Sequence, residues 1–431
     1  MREGWSAKPL GELCRFQAGD AFGKDEQGRS VGEYPFIKVS DMNLTGNELY
    51  MSRANNWVSD QEAQQNYRLH PTGAVVFAKI GIALTYNRRR RLIRPTVIDN
   101  NMMSAVCFPS VNSVWFYYLL STIDFNLISS GSALPYLTVK DLTRIEVEVP
   151  PTRDQETIAT ILGALDDKIE LNRRMNETLE AMARTIFKDW FVTFGPTRAK
   201  QEGRAPYLAP DIWSLFPARL DDEGKPEGWI TSTIGQEVDV AGGSTPSTKE
   251  PRFWGGDIAW ATPKDLSSLS TPVLLNTERQ ITDEGLSQIG SGLLPVGTVL
   301  LSSRAPIGYI AIAQIPTAVN QGFIAMICRR RVSNVFAWLW TLANMETVHQ
   351  KANGSTFQEI SKANFRPIAV TVAHEDILRI FDETVGPLFD RIVSNERENC
   401  ALAATRDFLL PKLMSGEIRV KDAGKIASEF A

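Results

Sequence analysis

A chain of 431 residues is longer than one hydrophobic core usually supports, so two or more domains are expected. Its 43% apolar content is ordinary for a globular protein, no apolar run is long enough to cross a bilayer, and the opening MREGWSAKPLGEL lacks the apolar stretch of a signal peptide. The net charge of −4 excludes a uniformly basic binder, while Cys14, Cys107, Cys328 and Cys400 form no CxxC pair, which argues against structural zinc or a disulfide framework and fits a reducing cytoplasm.

In chain order the predicted elements pass through the same cycle twice. Residues 1–150 read as short β-rich segments with one aromatic helix, VWFYYLLST, and carry 16 Lys+Arg against 15 Asp+Glu. Residues 151–194 read as a long helix, and 195–227 as a Pro/Gly-rich extended connection whose Tyr207, Trp213 and Phe216 suggest packing on a surface. Residues 228–372 repeat the β-rich pattern around the helix VFAWLWTLAN, with 11 basic against 10 acidic residues. A second long helix is expected over 373–411, followed by a tail at 412–431. Each β-rich segment is thus +1 and each remaining stretch −3, so the global charge hides where a polyanion would dock.

The cycle is a tandem duplication. At an offset of 224 residues Gly4-Trp5 falls on Gly228-Trp229, Gly11 on Gly235, Asp41 on Asp265 and Gly73 on Gly297. Further on, Gly131-Ser132 matches Gly354-Ser355, and TRIEVEV matches RPIAVTV. A nearly constant offset through so many features is the mark of a repeat. The aromatic helices read as core elements rather than as platforms for stacking bases, which favour single strands.

Both long helices carry a 3.5-residue apolar repeat. Ile158, Leu162, Leu165, Ile169, Asn172, Asn176, Leu179, Ala183 and Ile186 form one seam; Phe381, Val385, Leu388, Ile392, Asn395, Asn399, Leu402, Arg406 and Leu409 form the other. Such spacing predicts a coiled coil, and two Asn at each midpoint are candidates for fixing register.

Catalytic signatures are missing. The chain has no GxxxxGK[ST], no Gly-rich cofactor fingerprint, no amino-methyltransferase tetrapeptide and no HExxH, and only His70, His349 and His374 are present. Pro210-Asp211 with Glu223-Gly224-Lys225 imitates a nuclease pattern, but that chemistry needs its carboxylates on adjacent strands to hold a metal. No catalytic residue, metal site or cofactor is therefore expected in this chain. The candidates for DNA contact are basic. Arg88, Arg89, Arg90 and Arg91, with Arg94 close behind, suggest a hairpin tip able to reach phosphates or a base edge, and a solvated turn remains an alternative. Lys79 and Arg304 follow equivalent β runs, Lys264 precedes the repeated Asp265, and the run Arg329, Arg330 and Arg331 ends a strand before the second aromatic helix, with a solvated cluster as the alternative.

The strings DDKIELNRRMNETLEAMARTIFKDWF, PYLAPDIWSLFP, GKPEGW and LLPKLMSGEIRV resemble type I restriction–modification specificity subunits over essentially the whole chain. The resemblance implies an α+β fold of two β-rich target-recognition domains separated by two long helices, each domain reading half of an interrupted DNA site. It implies as partners double-stranded DNA, two adenine-N6 methyltransferase (modification) subunits and restriction subunits, with S-adenosylmethionine, ATP and Mg expected in those partners and none here. A protein-interaction scaffold would explain the coiled coil but not two β-rich domains with differing loops. Because duplex DNA has local two-fold symmetry, the two helices are expected to pair antiparallel, in pseudo-two-fold fashion, with Asn172 and Asn176 beside Asn395 and Asn399. The 28 steps from Ile158 to Ile186 span about 42 Å, near one turn of DNA at roughly 34–36 Å. The same symmetry is expected to bring residue 1 near the C-terminal tail.

Overall fold

The structure, a computed structural model, describes residues 4–23, 27–131, 134–304, 306–354 and 358–418. The expected meeting of residue 1 with the C-terminal tail, and the repeated Ser132 and Ser355, lie outside them. The chain divides into two compact units, Met1–Arg173 with Glu398–Ala431, and Arg174–Arg397.

In the first unit, β1 (Ser6–Pro9) pairs antiparallel with β10 (Glu146–Val149). A five-stranded sheet has β2 (Cys14–Ala18), β9 (Met102–Cys107), β6 (Val75–Ala78), β7 (Arg90–Leu92) and β4 (Tyr50–Met51) in that spatial order. A three-stranded sheet has β5 (Asn56–Val58), β3 (Tyr34–Ile37) and β8 (Val97–Ile98). The β6 strand is buried on both faces, so its sequence VVFA is apolar throughout instead of alternating. Val75 and Phe77 join Trp115, Phe116 and Leu120 of the helix Ser113–Thr122, together with Ile158 and Leu162, in one core. Val76 joins Ile37, Met42 and Ile98 on the other side.

The second unit repeats every pairing. β11 (Ile230–Thr233) pairs with β20 (Ala369–Val372). The five-stranded sheet runs β12 (Asp239–Ala241), β19 (Phe323–Ile327), β16 (Val299–Ser302), β17 (Ile310–Ala313) and β14 (Val273–Leu274). The three-stranded sheet runs β15 (Arg279–Ile281), β13 (Trp254–Ala261) and β18 (Thr317–Val319). Even the parallel contacts recur, β3 with β8 as β13 with β18, and β4 with β7 as β14 with β17. The duplication seen in the sequence is thus a duplication of topology.

Repeated residues hold this framework. Asp41 and Asp265 each sit three residues into a helical turn and accept the N–H at its start, from Lys38 at 2.8 Å and from Thr262 at 2.7 Å. Gly19 and Gly243 follow β2 and β12 where a Cβ would lie 2.2 Å from the Ile98 carbonyl oxygen and 1.7 Å from that of Val319. Only glycine lets those backbones approach so closely. The aromatic helices are core elements: Trp115, Phe116 and Trp338 have no exposed surface.

The long helices run Thr152–Phe187 and Glu375–Met414, the second three residues past its expected end at 411. Within the first unit, Asp166 meets Arg406 at 2.6 Å and Asn172 meets Asn399 at 3.0 Å; within the second, Asn176 meets Asn395 at 2.7 Å and Phe187 meets Phe381 at 5.9 Å. In each unit one chain rises as the other falls, which is antiparallel pairing. The first helix ends in a π-helical turn, Lys188–Val192, that turns both Trp190 and Phe191 inward. Phe191 packs edge-on against Phe336 and Phe381, each at 5.0 Å, and Trp190 against Phe216 at 5.1 Å.

The segment 195–227 is not simply extended. It forms two short helices, Gly195–Gln201 and Pro210–Leu215, because Pro at each first turn fixes a helical φ and Phe216 must reach the aromatic core. Tyr207 Oη donates to Asp189 at 2.8 Å, pinning the connection to the π turn.

Candidate nucleic-acid interface

The arginine run is not a free hairpin tip. Asn87 takes a left-handed φ of 57° and accepts the Phe125 N–H at 2.9 Å, turning the chain so that Arg90 and Arg91 enter β7, an interior strand of the five-stranded sheet. Arg89 is turned inward with only 3% of its surface exposed. Its guanidinium lies 3.6 Å from the Phe125 ring centre and donates to the carbonyl oxygens of Asn87 and Ile123. Burial lowers its pKa to about 9, which still leaves it charged at neutral pH. As placed, Arg89 supports the loop and does not face solvent. Arg90 is half-buried, and burial lowers its pKa too. Arg91 lies 5.5 Å over the Tyr50 ring, whose hydroxyl donates to Asp167 at 2.9 Å. Arg88 and Arg94 are exposed, 5.0 Å over Tyr86 and 5.9 Å over Trp57.

Lys79 directly follows β6, half-buried, with its backbone bonded to Asn101 and Leu137 at 2.9 Å each. Its pairing with Arg304 needs correction. Ile80 and Arg304 occupy the same place, because Ile80 and Ser130 both bridge to Tyr136 just as Arg304 and Asn353 both bridge to Glu359. In the second unit Arg304 lies 3.9 Å from Glu359, Lys264 lies 2.7 Å from Glu278, and Arg330 lies 2.7 Å from Asp239, while Arg329 is exposed. The structure therefore scatters the basic candidates over several loops instead of gathering them into one cluster.

Sequence reading missed several supporting contacts. Arg331 holds the buried Glu237 carboxylate, with Nε at 3.0 Å from Oε2. Asp166 is shared by the Tyr118 hydroxyl and Arg406, both donating at 2.6 Å. Asn172 and Asn176 of the first helix each recruit an acid of the second beside the apolar stripe. Asn172 Nδ2 donates to Glu398 at 2.7 Å as well as to Asn399, and Lys168 Nζ donates to Asn172 Oδ1 at 3.1 Å. Asn395 Nδ2 donates to Asn176 Oδ1, and Asn176 Nδ2 donates to Glu396 at 2.7 Å. The nuclease-like residues lie apart in kind: Asp211 is in the first turn of a short helix, whereas Glu223 and Asp221 hold Lys225 at 2.6 and 2.5 Å. Among the described residues no three His, Cys, Asp or Glu side chains gather as a metal site, and no helix is long and apolar enough to cross a membrane.

A family profile described as Type I restriction modification DNA specificity domain matches residues 2–181 and again 226–381. The chain is 26% identical over 378 residues to the Type I restriction enzyme HindI specificity subunit of Haemophilus influenzae, covering 74% of this chain and 82% of that protein. It is 24% identical over 433 residues to the Type I restriction enzyme MjaIX specificity subunit of Methanocaldococcus jannaschii, covering 97% and 94% respectively. The crystal structure of a Type-I restriction-modification system S subunit from M. genitalium shares the fold, with a TM-score of 0.57 and 14% identity over 95% of this chain and 96% of that one. Two profile matches fall on the two copies of one topology, and the chain belongs to the type I restriction–modification DNA specificity family.

Proposed function

We infer that this specificity subunit reads an interrupted, asymmetric DNA site, each sheet-rich unit contacting one half. The observation that carries this reading is a framework repeated strand for strand while the loops on it change chemistry. A common framework serves a common docking mode, and different loop side chains serve different base edges. An interaction scaffold gives no reason for that divergence. The chain's role is recognition without catalysis: it directs two adenine methyltransferase subunits, and restriction subunits with them, in the cytoplasm. S-adenosylmethionine, ATP and Mg belong to those partners, and the paired long helices give them a docking surface. Arg88, Arg94, Lys264, Arg329 and Arg330, the exposed basic candidates, and half-buried Arg304 contribute phosphate or base contacts, and the seam Asn set helix register.

Exchanging residues 1–150 for the equivalent segment of another family member tests the reading. Sequencing of methylated sites in a host expressing the complex should show one half-site changed and the other kept. Simultaneous change of both halves would refute independent reading. The purified chain alone should neither methylate nor cut DNA, and activity of a contaminant-free preparation would refute the division of labour.

A further inference from the structure

We propose that the loop platform closed by Ile80, Ser130 and Tyr136 is a base-reading surface that recognises thymine in one half-site through its C5 methyl group. The proposal rests on the DNA-reading role inferred above and assigns it a place and a chemistry. Both units build the platform from the same backbone bridges, and the residue after each capping side chain, Thr138 or Ser361, lies beside it. The side chains on that shared backbone differ in kind. Ile80, Tyr136 and Val139 of the first unit stand where the second has Arg304, Glu359 and Lys362.

The first platform opens onto a broad apolar surface. Ile82, Tyr86, Leu127, Leu134, Tyr136 and Val139 are 40–84% exposed. Backbone and amide bonds draw them into one patch: Gly81 N donates to Pro135 O at 2.8 Å, Leu137 N to Lys79 O at 2.9 Å, and Asn126 Nδ2 to Thr85 O at 3.2 Å. Cations border it. Arg88 lies 5.0 Å over Tyr86, Lys79 directly follows the adjacent strand, and Lys140 is exposed next to Val139. The nearby Asp141 carboxylate is engaged by the Thr138 hydroxyl at 2.6 Å.

An exposed apolar patch of this kind marks a binding surface. A protein partner shared by both units would meet the same surface twice, whereas three equivalent positions here change from apolar to charged. Two readers of different sequences need that change. The thymine methyl is the apolar feature of the major-groove edge, and the phosphates on either side match a cationic border. On the second platform Arg304 and Glu359 offer a hydrogen-bond donor and acceptor instead, suited to guanine and cytosine edges.

The test uses the full chain co-expressed with its methyltransferase subunits. Methylation sequencing gives the site, and exchange of residues 1–150 assigns the half read by the first unit. Binding of the wild-type complex is then measured on duplexes in which each thymine of that half is replaced singly by deoxyuridine, which removes only the methyl. At least one replacement should weaken binding about 3–10-fold, the scale of one buried methyl, with under about twofold change in the other half. In parallel, Ile80→Arg with Tyr136→Glu should alter the first half-site and leave the second intact, which also shows that the variant folds. A first half-site without thymine, or one indifferent to deoxyuridine, overturns the proposal while leaving the DNA-reading role standing. Absence of any bipartite methylated motif overturns that role, and the proposal with it.

Discussion

Single side chains decide how each unit responds to acid. His70 has no exposed surface, and its Nδ1 lies 2.7 Å from Ser104 Oγ. Burial lowers its pKa from 6.5 to about 4, so between those values the unfolded chain binds a proton that the folded chain refuses. Stability supplied by neutral His70 is present above pH 6.5 and is lost as pH falls toward 4, by up to about 1.4 kcal/mol per unit. Glu180 of the second unit is the opposite case. Burial raises it from 4.5 to about 7, against the pull of Arg184, so its contribution is present below 4.5 and is lost as pH rises through 7. Acidification from pH 7 to 5 should therefore loosen the first unit and tighten the second. Segment-resolved hydrogen exchange, corrected for intrinsic rates, should show protection moving in opposite directions; parallel movement would contradict the assignment. A second residue-scale expectation concerns the buried ion pair of the first unit. Asp166→Ala leaves Arg406 half-buried beside an unbonded Tyr118 hydroxyl and should cost about 3 kcal/mol in urea unfolding. A loss below about 1 kcal/mol would mean that water replaces the carboxylate. The His70 and Asp166 environments were not legible in sequence, because their partners lie far along the chain: Ser104 is 34 residues from His70, and Arg406 is 240 from Asp166. Arg89 failed as a surface candidate for the same reason, since Phe125, the ring that receives it, sits in no pattern with the run Arg88 to Arg91.

At the scale of elements, periodicity made the helices readable and left the sheets obscure. The 3.5-residue seams, their Asn and their antiparallel sense were all reachable from spacing and symmetry. Strands of two residues, such as β4 and β14, carry no period at all, and the parallel contacts they make depend on partners 41 and 39 residues away. The π turn was equally hidden, since KDWF reads as the end of an ordinary helix until Trp190 and Phe191 are both found inside. The Asn pair of the second unit yields a prediction with a change of sign. Asn395 Oδ1 is buried without a hydrogen bond, so the pair contributes less than two well-packed apolar residues would. Asn176→Leu alone strands the Asn395 amide and should destabilise by about 1–3 kcal/mol. Asn176→Leu with Asn395→Leu should recover that loss or exceed it, read by thermal unfolding of the full chain. Equal losses in the single and double variants would show that the pair itself supplies stability.

For the molecule as a whole, the decisive signal was the repeat, legible because framework residues such as Gly73 and Gly297 keep their spacing while loops drift. Both glycines take positive φ, 83° and 86°, at the turn before a central strand, so neither copy can replace them cheaply. In the loops the offset has to be applied strictly: 224 residues set Arg304 on Ile80 and not on Lys79, and the backbone bridges agree. The outermost strand pair has a consequence of its own. Ser6 faces Val149 across β1 and β10, and Ile230 faces Val372 across β11 and β20. Facing residues of an antiparallel pair lie about 5 Å apart, so the chain leaves each β-rich segment almost where it came in. Seen from the gene, each segment is a cassette with its two cut points side by side. A recombination that exchanges the coding sequence between them hands over an entire reading surface in one event, and leaves the flanking helices with the same gap to close. A lineage carrying this architecture can acquire a new specificity in a single inherited step, where a chain with widely separated crossings would have to repair its core at the same time.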